Sequence, residues 1–148
     1  MGYRWFDSAK ESPAFEFGAG MSFTSFSLVC PATAITSTGA SCTVVNTGKR
    51  VGSTVVQLYL SYPPRAGEPP QQLRDFAKVH RLKPGGSTTV ELKISERDRS
   101  VWDEHAEGWA MVAGDFGVKI GQSSRDPNAA EGSFTVTPPK QLSKPTTG

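Results

Sequence analysis

The chain has 148 residues, enough for one domain with a sizeable core, and its 15 glycines and 11 prolines among many Ser and Thr favour short strands and turns over helices. The 16 Lys and Arg are interspersed with 14 Asp and Glu, so the sequence carries no electrostatic footprint for nucleic acid or an anionic membrane. No apolar run approaches the roughly 20 residues of a membrane span, and the start Met1-Gly2-Tyr3-Arg4-Trp5 has no secretory core; if the parent protein is secreted, its signal lies upstream.

Residues 1–24 differ from the rest. Tyr3, Trp5, Phe6, Phe15 and Phe17 crowd a segment without sustained alternation, which reads as an irregular arm. So much apolar surface is expected to pack on something, either this chain's own sandwich or a neighbouring domain, the alternative being a flexible terminus. Trp5, Phe6, Phe15, Phe17, Gly18 and Gly20 are the candidate domain-docking residues. The Gly18-Ala19-Gly20 run lacks the strand-to-helix setting of a nucleotide fingerprint and reads as backbone freedom beside bulky rings.

Strand signals recur from Phe23 onward. Phe26, Leu28 and Cys30 share a face, as do Cys42, Val44 and Asn46, and these two strands can lie side by side. A disulfide between Cys30 and Cys42 is expected, with two buried free thiols as the alternative; the spacing is not a zinc pattern. After the turn Asn46-Thr47-Gly48-Lys49, the set Thr54, Val56, Leu58, Leu60 and Tyr62 alternates with Val55, Gln57, Tyr59 and Ser61, the best core strand in the chain.

The run Pro63 to Pro70 cannot continue a ladder and is expected to protrude as a loop. A strand over 73–82, the turn Lys83-Pro84-Gly85-Gly86, and a strand with Val90, Leu92 and Ile94 on one face predict a hairpin. The charged passage 95–100 predicts one short helical turn crossing between sheets. A second hairpin is predicted from Trp109 and Met111 through Ala113-Gly114-Asp115 to Phe116, Val118 and Ile120, with Phe134 and Val136 on the closing strand. Residues 138–148 have the composition of a linker or tail. The reading is therefore an arm over 1–24, a sandwich over 25–137 and a tail over 138–148.

Four blocks in order carry a resemblance. They are Pro13 to Thr24 with its Phe-Gly-Ala-Gly core, Pro69 to Val79 followed by Leu82-Lys83-Pro84-Gly85, Arg97-Asp-Arg-Ser-Val-Trp-Asp103, and Gly114 to Asp126 ending in Gly-Gln-Ser-Ser-Arg-Asp. Together they resemble the C-terminal fibronectin type III-like domain of glycoside hydrolase family 3 enzymes, the β-glucosidases and β-xylosidases. Asp75 stands where that family usually has glycine, and Arg99 where it has an apolar residue. The resemblance implies an all-β, immunoglobulin-like sandwich of two sheets and about seven strands. It also implies a secreted accessory domain whose partners are the catalytic domains of a β-glucosidase-like parent.

Retaining glycoside hydrolysis needs two carboxyl groups about the scissile bond. In the resembled family these come from other domains, so no catalytic residue is assigned here; Asp98, Asp103, Glu104 and Asp126 read as structural or solvated acids. Arg125 is expected to hold Asp98 or Asp103. No cofactor or metal is implied, and His80 and His105 read as surface or edge residues. Trp102 and Trp109 are expected in the core. A second functional reading makes Arg65, Arg74, Lys78, Arg81 and Lys83 a mildly basic surface that adsorbs cell-wall polysaccharide or lignin. The isolated chain is expected to be monomeric.

Overall fold

The computed structural model describes residues 2–105 and 107–137; the tail expected over 138–148 lies outside them. Among the described residues two four-stranded sheets face each other, and a separate two-stranded hairpin adjoins them. The first sheet contains β1 (Phe26–Val29), β2 (Ile35–Thr36), β3 (Gly39–Asn46) and β6 (Ser87–Lys93). The second has the order β10 (Ala130–Val136), β9 (Gly114–Gly121), β4 (Gly52–Ser61) and β5 (Gln72–Leu82).

β1 and β2 both pair antiparallel with β3, opposite the edge taken by β6. They are one edge strand interrupted by a 3-10 turn at Ala32–Ala34, so the sandwich is three strands against four. The all-β, fibronectin type III-like reading holds. Each inward face follows the alternation in the sequence: Ala40, Cys42 and Val44 meet Val90 and Leu92 from one sheet, and Val56, Leu58, Leu60, Phe116, Val118 and Ile120 from the other.

Two expected hairpins are not present. The turn at residues 83–86 joins β5 in one sheet to β6 in the other, so it is a corner of the sandwich. The corner is built on Asn46: its backbone N–H donates to Gly86 O, and Gly85 N–H donates to Asn46 O. The pairing predicted between 109–111 and 116–120 is also replaced. β8 (Gly108–Met111) turns back on β7 (Ser100–Asp103), while β9 pairs with β4 and β10. The single 3-10 turn at Arg97–Arg99 leads into that hairpin as a crossover.

Trp102 and Trp109 are directly paired across β7 and β8, and both are about half exposed, which overturns their expected place in the core. Large apolar side chains are buried only where another layer covers them. This hairpin is a two-stranded sheet of its own, outside the two sheets that enclose the core.

The arm is also more ordered than its sequence suggests. Tyr3–Ser8 forms a helix, α1, in which Tyr3, Phe6 and Asp7 are the partly covered positions. That is i, i+3, i+4 spacing, too short a run to be read as periodicity.

Candidate functional site

The outward face of the second sheet is where the arm lies. Gln57 and Tyr59 point away from the core on β4, yet both are buried. Tyr3 stacks on Phe17 at 4.4 Å between ring centroids and presents a perpendicular contact to Tyr59 at 6.0 Å. Its hydroxyl accepts a 2.7 Å hydrogen bond from Leu73 N–H. Gln57 Nε2 donates to the carbonyls of Gly18 (3.0 Å) and Gln122 (2.8 Å), and its Oε1 accepts from the Tyr59 hydroxyl. Burial, reinforced by Tyr3 and the Asp7 carboxylate, pushes that hydroxyl well above the ordinary tyrosine range.

The loop after β9 fastens the arm. Ser124 N–H donates to Phe17 O at 2.9 Å, and Ser123 Oγ donates to Glu16 Oε2. Gln71 Nε2 bridges Asp7 Oδ2 and Ser124 O, both at 2.9 Å. Arg125 forms its ion pair with Asp7 at 3.1 Å. The expected pairing of Arg125 with Asp98 or Asp103 is therefore corrected. Asp98 instead accepts from Ser95 N–H and lies 3.9 Å from Arg74, and Asp103 Oδ1 accepts from His105 N–H. Asp126 closes its own loop, accepting from Gln122 and Asn128 N–H.

Gly18 sits at φ +77°, a left-handed conformation, and a Cβ there would fall 2.0 Å from Gln57 Oε1. Its role is both conformational and steric. Gly20 has open space around it.

The arm covers the sheet but not itself. Tyr3, Phe6, Pro13, Phe15 and Phe17 line one depression, while Phe17, Val55, Leu73 and Phe76 line the adjoining one, so Phe17 joins them into a continuous apolar strip. Phe15 is 90% exposed, and Trp5, Phe17 and Phe76 are also exposed. Sequence reasoning missed Phe76, which sits in a mixed strand; the arm alone singled out no sheet residue.

Two of the five predicted cations make contacts within the domain. Arg65 donates to Ala113 O; Arg74 donates to Tyr62 Oη and to Gln72 Oε1, its guanidinium 5.3 Å over the Tyr62 ring. Both serve the corner where β4 leaves its sheet. Lys78, Arg81 and Lys83 are exposed toward the other end of β5. Asp75 accepts from Lys93 N–H and links the edge of β5 to the end of β6. Cys30 and Cys42 are joined by a disulfide with Cα atoms 4.4 Å apart, continuing the β1–β3 register by one pair. No group of three or more His, Cys, Asp or Glu suited to a metal ion occurs among the described residues.

Residues 54–124, from the core strand β4 to the arm-fastening loop, match the family model of the fibronectin type III-like domain. That segment is fibronectin type III-like. The domain resembles part of probable β-glucosidase L from Emericella nidulans, at 39% identity over 156 residues that cover 90% of this chain and 21% of that protein. Beta-glucosidase cel3A from Pyricularia oryzae is likewise 39% identical, with 90% and 22% covered. The fibronectin type III-like domain thus spans about a fifth of the curated relatives it matches. It superimposes on part of the Bifidobacterium adolescentis GH3 β-glucosidase with a TM-score of 0.83 at 29% identity, covering 97% of this chain and 23% of that one. For the Trichoderma reesei β-D-glucoside glucohydrolase the TM-score is 0.80 at 34% identity, with 91% and 22% covered. It is a domain of the kind contained within family 3 β-glucosidases.

Proposed function

We propose that this is a non-catalytic accessory domain of a secreted β-glucosidase-like glycoside hydrolase, which docks on the catalytic domains and stabilises them. The apolar strip from Phe15 through Phe17 to Phe76 carries the reading, because it is continuous, held in place by a polar latch, and left in water by the domain alone. A strip of aromatic rings on a rigid backing suits a dry interface core. The catalytic domains of the parent are its partner in this reading, and extracellular cellulose breakdown its setting. The domain itself is expected to hydrolyse no aryl β-glucoside.

The alternative, anchoring to cell-wall polysaccharide or lignin through the basic surface, draws less support because Arg65 and Arg74 already serve internal contacts. Co-purification of the domain with a separately expressed catalytic fragment tests the docking reading. Phe15→Ser combined with Phe76→Ser should abolish capture while the melting temperature of the domain changes little; capture equal to the parent's would overturn it. Turnover of an aryl β-glucoside that is lost on changing one carboxylate of this chain would overturn the non-catalytic role.

A further inference from the structure

The β7–β8 hairpin is tied to the sandwich at its base. Val112 N–H donates to Arg99 O at 2.9 Å, the Tyr62 hydroxyl donates to Asp98 O, and Val101 and Met111 pack against the core. Farther out, Trp102 and Trp109 meet edge to face, 5.8 Å between centroids at 74°. The Arg97 guanidinium lies 4.1 Å over the Trp109 ring. Both indoles are thus fixed in place while 53% and 50% exposed.

Two observations separate this patch from the strip on the arm. Within 95–113 the tryptophans are the only exposed large apolar side chains among the described residues, whereas a stable protein interface covers about 800 Å² on each partner around a dry core. Exposed Glu104, His105 and Glu107 lie between the two tryptophans in sequence and carry donors and acceptors close to them along the hairpin. An exposed indole surface beside polar side chains matches a ligand that is itself apolar on its face and polar around its edge. A pyranose with equatorial hydroxyls has that chemistry: its axial C–H groups carry partial positive charge toward an indole face, and its hydroxyls point sideways.

We propose that Trp102 and Trp109 form a carbohydrate-contact site that takes the face of a glucose-type pyranose in an oligosaccharide. Fixed rings lose little freedom on binding, which favours a weak but definite contact. The proposal does not rest on the docking reading, since it uses a different surface and a different ligand.

The chain has three tryptophans, so the third, Trp5, is an internal control. The indole N–H signals of the intact chain, assigned with Trp5→Phe, are followed by NMR during titration with cellohexaose up to about 10 mM, a range that reveals millimolar affinity. The Trp102 and Trp109 signals should move and saturate while the Trp5 signal stays still. Trp102→Ala should weaken binding at least tenfold with an unchanged melting temperature. Should that variant unfold, Trp102→Phe, which keeps a ring in the hairpin, should fold and retain part of the affinity. No movement, equal movement of all three indoles, full affinity in a folded Trp102→Ala, or a response to a lignin-model dimer in place of the sugar would each overturn the site.

Discussion

Arg125 reaches across the outer face of the second sheet to Asp7, its Nη2 3.1 Å from the carboxylate, and the same nitrogen donates to Glu11 O at 2.7 Å. One side chain thereby fastens α1 and the residue that ends its following turn. Because the guanidinium is partly exposed, Arg125→Ala should cost only about 1 kcal/mol in global stability. The sharper effect is local: hydrogen exchange at the Ser124 amide, which holds Phe17 O, should accelerate more than exchange in β4.

Gly18→Ala tests the seat of the arm. The new methyl group meets the Gln57 amide in a conformation that alanine disfavours, so the cost should reach about 2 kcal/mol or more. Limited proteolysis should then cut the arm while the sandwich stays intact, and a variant as resistant as the parent would show that the Gln57 contact does not hold it.

Asn46 has no exposed surface and is fully bonded: its Nδ2 donates to Arg50 O and Leu82 O, and its Oδ1 accepts from Thr24 Oγ1 and Gly48 N–H. Asn46→Leu keeps the branching at Cγ but strands these partners, and chemical denaturation should show a loss of about 3 kcal/mol. No single exposed Thr or Ser of the outer sheet faces should approach that value.

The Cys30–Cys42 bridge closes a short loop with a sequence separation of 12, for which the chain-entropy model gives about 2 to 3 kcal/mol. Replacing both cysteines with alanine should lower the urea midpoint accordingly. Intact-mass measurement after alkylation of unreduced, unfolded protein should show neither thiol modified.

Tyr59 predicts an alkaline limit. Its folded-state pKa is raised, so above the unfolded value of about 10 the native chain keeps a proton that the unfolded chain releases. Stability from this group is complete below about pH 10 and falls as pH rises beyond it. Tyr62, raised chiefly by burial although Arg74 opposes the shift, acts in the same direction. Urea midpoints between about pH 9 and pH 11 should decline less steeply in Tyr59→Phe than in the parent.

Sequence alone determined the class of fold and which residues face the core, because alternation is local: Val56, Leu58 and Leu60 must share a side whatever they pair with. It also marked the aromatic arm as unlike the rest of the chain. Strand partnership was not legible, since a four-residue turn such as Lys83–Gly86 joins two strands of one sheet or turns a corner between two, and only the Asn46 contacts to Gly85 and Gly86 decide. The same holds for burial off the core: Tyr59 is covered because α1 folds back over it, and Trp102 is exposed because its hairpin is a sheet of its own outside the two core layers. Spacing along a strand fixes which way a side chain points. What stands opposite it depends on chain segments up to 118 residues away, as Asp7 and Arg125 demonstrate, and that is decided only when the layers pack.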